Sequence, residues 1–178
     1  MKKLIGLLIG GLAAGAVLGY IVAFGGKPAQ QNARRLSRPP VVGKEMPALM
    51  LEDLDGNAID TTILTGEPLI INFWATWCPP CKAEMPLLQE FSRVNQESVV
   101  VIGINVMESN AVVKEYVQAN KISFTILLDS DGRVYEAYQI LGLPTTYFVD
   151  ENGILRAQHI GVLDKELLNE YGKMIGLP

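Results

Sequence analysis

Hydrophobic runs and turn residues alternate from residue 43 onward in a pattern typical of an α/β fold. Two continuous apolar runs, residues 69–74 and 99–106, predict strands that are buried on both faces. Segments of helical periodicity follow both runs, and shorter apolar segments around Asp-Gly and Asn-Gly pairs predict hairpins. The further predicted elements are a hairpin over 49–59, helices over 79–91 and 109–119, a strand over 126–128, a hairpin over 145–160 and a last helix over 165–175 capped by Asp164. This order predicts a mixed α/β sheet flanked by helices.

The helix predicted over 109–119 shows both a start signal and an apolar face in the sequence. Ser109 stands where an N-cap residue is expected, because serine side chains accept hydrogen bonds from the first free amides of a helix. The apolar face is predicted to comprise Val112, Val113, Tyr116 and Val117, which recur at helical spacing.

The N-terminal region has a different character. Residues 4–24 form an uninterrupted uncharged stretch that follows Lys2 and Lys3. About twenty apolar residues in a helix span the hydrocarbon core of a bilayer. The alternative is a cleaved signal peptide, but its apolar region runs over only about 7–15 residues and ends at a small-residue cleavage site. We therefore predict an N-terminal transmembrane anchor over 1–24, a linker over 25–42 that contains Gly-Gly and Pro-Pro, and a globular domain over 43–178.

Charge is segregated along the chain. Six of the 15 basic residues precede residue 43, whereas all 19 acidic residues follow it, so the globular part carries a formal charge of about −10. This balance argues against nucleic acid as a partner and is compatible with basic client polypeptides. Basic residues flank the predicted anchor on both sides, so charge alone does not fix its orientation.

The chain contains only two cysteines, in the motif Trp77-Cys78-Pro79-Pro80-Cys81 directly after the first buried run. A Cys-X-X-Cys pair between a strand and a helix is typical of a dithiol that cycles between thiol and disulfide. The helix N-terminus favours the thiolate of Cys78, which makes it the nucleophile, and Cys81 one turn later resolves the mixed disulfide. Trp77, Pro79 and Pro80 are predicted to contact the substrate, Trp77 as part of an exposed apolar rim.

Other uses of the cysteine pair are less favoured. Two cysteines cannot form a disulfide framework or a four-cysteine zinc site. Together with His159, the sole histidine, they could supply three ligands of a metal site, and a carboxylate would have to be the fourth. We predict no metal and no other cofactor, with the Cys78–Cys81 pair itself carrying the electrons, and we assign His159 no role.

The segment around Pro144 is the second informative motif. A proline just ahead of a predicted strand, in a turn that contains Gly142, is a candidate cis peptide. The proline has no N–H, and the residue before it, Leu143, can pair its backbone with an extended substrate strand. Leu143 and Thr145 are therefore predicted to bind substrate next to Pro144.

These motifs together resemble the thioredoxin-like thiol-disulfide oxidoreductases, and more closely the membrane-anchored bacterial ResA/TlpA type. The resemblance rests on residues 72–86, 103–106 and 142–153, and it covers about residues 43–175. It implies a thioredoxin-like fold with an inserted βα element, here residues 109–128. It also implies that Cys78 is the nucleophile, that Cys81 resolves, and that Pro144 is the cis proline facing them.

Two departures from the ordinary thioredoxin pattern bear on mechanism. Ordinary thioredoxin has a buried aspartate where this chain has Asn72, and in ResA-like proteins a glutamate three residues after the second cysteine serves instead. The resemblance implies this proton-handling role for Glu84, and the alternative is a solvated acid on the helix surface. The second departure is the Pro-Pro dipeptide between the cysteines, where relatives commonly have an acid and one proline. Because it removes two N–H donors from the helix start, it predicts less thiolate stabilisation and a more reducing couple.

The expected function is that of an extracytoplasmic membrane-anchored reductase, since disulfides form outside the cytoplasm. By resemblance, the client is the haem-attachment CxxCH of apocytochrome c, and a membrane thiol-reductant protein resets the cysteine pair. The alternatives are a reductase with general or other clients, a peroxidase of the peroxiredoxin type, and a metal-binding dithiol scaffold.

Overall fold

A computed structural model describes residues 39–61 and 66–178 of the chain. The predicted anchor over 1–24 and most of the predicted linker over 25–42 lie outside these residues. The strands are β1 Met50–Asp53, β2 Ala58–Asp60, β3 Leu69–Trp74, β4 Val100–Val106, β5 Thr125–Asp129, β6 Thr145–Val149 and β7 Leu155–Ile160, and the helices are α1 Pro79–Val94, α2 Asn110–Ala119, α3 Arg133–Ala137 and α4 Lys165–Met174.

The described strands form one mixed sheet in the order β2-β1-β5-β4-β3-β6-β7. The pairs β3–β4 and β4–β5 are parallel, and all other neighbouring strands are antiparallel. Every residue of β3 and β6 is buried, as expected for the central strands of a sheet covered on both faces. The mixed α/β sheet predicted from the sequence is therefore confirmed.

The inserted segment over 109–128 forms α2 and most of β5. Strand β5 lies parallel to β4 on one side and antiparallel to β1 on the other. It thereby joins the N-terminal hairpin β1–β2 to the rest of the sheet, so the insertion widens the fold without disturbing β3, β4 and β6.

Most predicted elements occur within one or two residues of their expected bounds, and the exceptions have local causes. Helix α3 is not predicted from the sequence, because its five residues are too few to show helical periodicity. Ser109 occupies the N-cap of α2, but its side chain makes no capping hydrogen bond. Val112 is exposed and does not belong to the apolar face of α2, which is formed by Val113, Tyr116 and Val117 as predicted. By contrast, the Asp164 carboxylate accepts from the amide of Leu167, as the predicted cap requires.

Strand β7 returns antiparallel to β6 through the Asn152-Gly153 turn. The Asp150 carboxylate accepts hydrogen bonds from the amides of Asn152 and Ile154, and Gly153 adopts a positive φ of 75°. The connection over 150–154 is longer than a two-residue hairpin turn, and the pairing shifts by one residue at the end of β6.

No helix within residues 39–61 and 66–178 combines the length and the apolar character needed to cross a bilayer. The predicted transmembrane segment lies outside this part of the chain.

Candidate active site

The two cysteines lie where the sequence places them, at the junction of β3 and α1. They form a disulfide, in which Cys78 is the N-cap of α1 and Cys81 lies in its first turn. The amide of Cys81 donates to Cys78 Sγ across 3.2 Å. Pro79 and Pro80 occupy the first two helical positions and are exposed, whereas both cysteines are buried. The amide of Cys81 is thus the first helical N–H that can reach the Cys78 sulfur.

The Leu143–Pro144 peptide bond is cis, as predicted from the sequence. Antiparallel pairing sets Thr145 opposite Phe73, so this peptide lies at the end of the sheet where β3 runs into the cysteine motif. Neither the amide nor the carbonyl of Leu143 forms a hydrogen bond with any other described residue. The proline carbonyl itself is used, because it accepts from the amide of Gly161.

Thr145, which the sequence predicts to bind substrate, uses its side chain within the turn ahead of β6. Thr145 is fully buried, and its hydroxyl donates to the carbonyl of Gly142 across 2.7 Å. The side chain therefore braces the turn that carries Leu143 and Pro144 and offers no surface to a client.

Glu84 is buried inside the protein and is not a solvated acid on the surface of α1. Only 1% of its surface is exposed, and its two carboxylate oxygens accept from Asn72 Nδ2 at 2.8 Å and from the amide of Leu163 at 2.9 Å. Burial raises the pKa of the Glu84 carboxyl, and the two hydrogen bonds oppose part of this rise. Glu84 lies one helical turn after Cys81, so the carboxyl and the second sulfur belong to the same face of α1.

Asn72 connects three elements around this carboxyl. Its side-chain amide donates both to Glu84 on α1 and to Thr146 Oγ1 on β6, at 2.8 and 2.9 Å. Its Oδ1 is buried and has no hydrogen-bond partner among the described residues. An asparagine here holds the Glu84 carboxyl in place with a neutral donor. An aspartate at this position would set a second negative charge beside the carboxyl.

The two tryptophans of the motif have opposite environments. Trp74 is completely buried at the end of β3 and packs against Tyr116, with ring centroids 5.3 Å apart. Trp77 is 60% exposed directly beside Cys78. This arrangement agrees with the predictions that Trp74 belongs to the core and that Trp77 forms part of an exposed apolar rim.

The structure adds one residue that the sequence analysis misses. The Glu108 carboxylate accepts hydrogen bonds from the amide and the hydroxyl of Thr76, which directly precedes the motif, and from Asn105 Nδ2. Thr76 and Glu108 each stand two residues beyond the end of a buried strand, β3 and β4. Because adjacent parallel strands end at the same edge of a sheet, this spacing is the signal that could have revealed the pair.

His159 belongs to no cluster of potential metal ligands in the described part of the chain. Its ring nitrogens are within hydrogen-bond distance of the Val162 carbonyl and the Tyr171 hydroxyl. No group of three or more potential metal-ligating side chains is found in residues 39–61 and 66–178.

A Cys-X-X-Cys disulfide at the start of a helix, beside a strand that a cis proline directly precedes, defines a thioredoxin-like protein. Sequence comparison agrees, since residues 42–158 match the AhpC/TSA family. The chain belongs to this family and is a thiol-disulfide oxidoreductase of the ResA and StoA type. Enzymes of this type carry electrons on the cysteine pair itself.

Two sequence matches and one structural match show how far the likeness extends. The thiol-disulfide oxidoreductase ResA of Bacillus thuringiensis subsp. konkukian is 33% identical over 135 residues, which cover 75% of this chain and 78% of the relative. The sporulation thiol-disulfide oxidoreductase A of Bacillus subtilis is 32% identical over 159 residues, covering 87% of this chain and 91% of the relative. The crystal structure of StoA from Bacillus subtilis has a TM-score of 0.61 at 32% identity, covering 74% of this chain and 98% of that structure.

Proposed function

We propose that the protein is an extracytoplasmic, membrane-tethered reductase of client disulfides, and that the haem-attachment cysteines of apocytochrome c are its client. The observation that carries the proposal is the Cys78–Cys81 pair at the N-terminus of α1, with the unpaired backbone of Leu143 at the same end of the sheet. The family relationship supports the thiol-disulfide chemistry, while the client and the direction of electron flow are inferences.

The proposed reaction proceeds through one mixed disulfide. The Cys78 thiolate attacks one sulfur of the client disulfide, and the other client sulfur leaves as a thiolate. The Cys81 thiolate then attacks Cys78 Sγ, which releases the second client thiol and forms the Cys78–Cys81 disulfide. A membrane dithiol protein returns two electrons by the same exchange in reverse and resets the pair.

Glu84 is proposed to handle the proton of Cys81. The thiol of Cys81 must lose its proton before it attacks, and Cys81 is completely buried, so solvent does not reach it in the described state. Glu84 is the acid one turn away on the same helix, and its burial raises its pKa above the ordinary glutamate value, so that it holds a proton more readily. Asn72 and the Leu163 amide hold the carboxyl in a fixed position.

Trp77, Pro79, Pro80 and Leu143 are proposed to bind the client. The first three side chains are exposed around the buried disulfide and offer an apolar surface. Leu143 contributes its free amide and carbonyl, which can pair with an extended client segment as a neighbouring strand does. The client disulfide would then lie between this segment and Cys78.

The tether is supported by the uncharged stretch over 4–24, which is long enough to span a bilayer. The match with the sporulation relative covers 87% of the chain and so extends into the segment ahead of residue 43. Placement on the outer face of a bacterial cytoplasmic membrane follows from the chemistry, because client disulfides persist outside the cytoplasm.

The experiment uses the reduced full chain in detergent and two disulfide peptides that differ in one residue. One peptide carries an oxidised CxxCH sequence and the other has the histidine replaced by alanine. The proposal expects one peptide disulfide reduced per Cys78–Cys81 pair and a clear kinetic preference for the histidine-containing peptide. Equal rates would leave a general reductase and overturn the apocytochrome assignment.

Two variants test the proposed order of attack. Cys81→Ser should accumulate a mixed disulfide between Cys78 and the peptide, whereas Cys78→Ser should accumulate none. Hydrogen peroxide in place of the peptide separates the peroxidase alternative, because a peroxidase would oxidise the cysteine pair with hydrogen peroxide at a rate at least equal to that with the peptide. Metal analysis of protein purified without chelator addresses the scaffold alternative.

A further inference from the structure

The turn that leads into Cys78 is held by a carboxylate from a neighbouring strand end. The amide of Cys78 donates to the carbonyl of Ala75, which closes a tight turn with Thr76 and Trp77 at its centre. The amide and hydroxyl of Thr76 both point to Glu108, at 2.6 Å to Oε2 and 2.5 Å to Oε1. One side chain beyond β4 therefore fixes the first central residue of this turn by two hydrogen bonds.

Glu108 is itself fixed in place. Its Oε2 also accepts from Asn105 Nδ2 at 2.8 Å, and Asn105 is completely buried in β4 opposite Trp74 of β3. Glu108 forms no ion pair with any described residue. Three neutral donors thus hold a charged carboxylate, and hydrogen bonds to charged groups are stronger than those between neutral groups.

Because Trp77 is the second central residue of this turn, the hydrogen bonds to Glu108 also affect the orientation of its side chain. The side chain of Trp77 is 60% exposed, so packing does little to hold it, and its direction depends on the backbone of the turn. Cys78 is constrained independently, because it is buried, caps α1 and is bonded to Cys81 in the oxidised state. A loosened turn would therefore disturb Trp77 more than it disturbs the sulfur.

We propose that Glu108 is a positioning residue, which, through Thr76, holds Trp77 in the orientation that docks protein disulfides. This inference rests on the proposed role of Trp77 in client binding. Glu108 does not take part in the exchange of bonds between sulfur atoms, and it belongs to the loop between β4 and the inserted helix α2.

The test compares a protein disulfide with a small one. Insulin and 5,5′-dithiobis(2-nitrobenzoate) are each reacted with the reduced full chain in detergent. The readout is the second-order rate constant with insulin divided by that with the small disulfide. Glu108→Gln keeps the size of the side chain but removes its charge, so the hydrogen bonds with Thr76 and Asn105 are no longer charge-assisted. We expect the rate with insulin to fall about tenfold, as loss of a charge-assisted hydrogen bond predicts, and the rate with the small disulfide to stay within about twofold.

Matched variants separate this effect from charge and from folding. Glu115→Gln removes one negative charge from an exposed position of α2 and should leave the ratio unchanged. Thr76→Val removes only the hydroxyl donor and should lower the ratio, whereas Thr76→Ser keeps the hydroxyl and should restore it. Because Thr76→Val leaves the Glu108 carboxylate intact, it tests the proposal even where Glu108→Gln folds poorly.

Trp77→Ala distinguishes failure of this inference from failure of the proposed docking role. If Trp77→Ala lowers the ratio and the Glu108 and Thr76 variants do not, Glu108 has no positioning role and the inference is overturned. If Trp77→Ala leaves the ratio unchanged, Trp77 does not dock clients, and both the docking role and the inference built on it fail. If Glu108→Gln lowers the rate constants with both disulfides equally, the substitution acts on Cys78 itself, and the inference is also overturned.

Discussion

Asn72 Nδ2 lies 2.8 Å from Glu84 Oε1 and donates a hydrogen bond to it in a part of the core where both residues are almost completely buried. A buried carboxyl is unfavourable when charged, and its pKa rises accordingly. The fixed donors Asn72 and Leu163 oppose this rise without supplying a counter-charge. The contact therefore limits how far burial raises the pKa of the acid that shares a helix face with Cys81.

Replacement of Glu84 by glutamine should slow the second step of the reaction. A glutamine side chain cannot take a proton from Cys81, and general-base assistance is worth about 10²–10⁴-fold. We expect the resolution of a Cys78 mixed disulfide with thionitrobenzoate to slow by about 100-fold at pH 7, with the first attack little changed. Stopped-flow absorbance resolves the two steps as successive releases of thionitrobenzoate.

Glu90→Gln is the matched control, because Glu90 lies on the same helix but is exposed and pairs with Arg93 on the surface. Loss of such a surface ion pair has little effect on stability. An unchanged resolution step in Glu84→Gln, at every pH from 5 to 9, would rule Glu84 out as the proton acceptor.

Glu84 should also make the stability of the protein depend on pH. Since its pKa is raised in the folded state, the folded protein binds the proton more tightly than the unfolded chain does. The free energy of unfolding contributed by this group is therefore highest below the ordinary glutamate pKa, falls as the pH rises through the raised pKa, and stays low above it. Each unit of the rise corresponds to about 1.4 kcal/mol.

Urea unfolding of the oxidised wild type and of Glu84→Gln from pH 4 to 8 measures this contribution as the difference between the two curves. The wild type should lose stability relative to the variant as the pH increases. Parallel curves would mean that burial does not perturb this carboxyl.

Pro80→Ala should make the cysteine pair more oxidising. An N-cap side chain accepts hydrogen bonds from the second or third helical amide, and in α1 the second position is Pro80, which has no N–H. Alanine restores this donor, which would add a second hydrogen bond to the Cys78 sulfur beside the one from the Cys81 amide. We expect a potential less negative by about 30 mV, which corresponds to about 1.4 kcal/mol of thiolate stabilisation.

Pro79→Ala is the control, because the first helical amide is not one of the two that reach an N-cap side chain. It should shift the potential by less than about 10 mV on the same scale. Equal shifts in the two variants would indicate a general effect of proline on the loop and contradict the hydrogen-bond argument.

Gly103→Ala should destabilise the fold at the centre of the sheet. A Cβ at Gly103 would lie 2.8 Å from Ile126 Cδ1 and 3.0 Å from Trp74 Nε1. Overpacking of this kind costs about 1–3 kcal/mol in the free energy of unfolding, which urea denaturation measures. At Gly172, in α4, the nearest contact would be 3.4 Å, so Gly172→Ala should be neutral or stabilising. A Gly103→Ala protein as stable as the wild type would show that β5 moves aside without cost.

The sequence predicts the sheet well because its buried strands carry unambiguous signals. The run over Leu69–Trp74 coincides with β3, and the cysteine motif marks the start of α1 to the residue. Helix α3 escapes prediction because it is short and its start is held by a residue outside it: the Asp129 carboxylate at the end of β5 accepts from the amides of Val134 and Tyr135.

The candidate site is predicted less completely than the fold. Cys78, Cys81 and the cis Pro144 follow from local motifs, and the burial of Glu84 settles an alternative that spacing alone left open. The prediction that Thr145 binds substrate rests on its position alone, and the burial of its side chain could not be read from one strand. Glu108 becomes visible only when β3 and β4 are known to be adjacent and parallel.

The reduction potential of the Cys78–Cys81 pair in the full chain at pH 7 tests the central claim most directly. Equilibration with a thiol redox buffer gives this value. The reductase account predicts about −250 mV or lower, near the potential of thioredoxin. A potential near about −120 mV, typical of a strong disulfide donor, would mean that electrons flow from the client to this protein and would contradict the account.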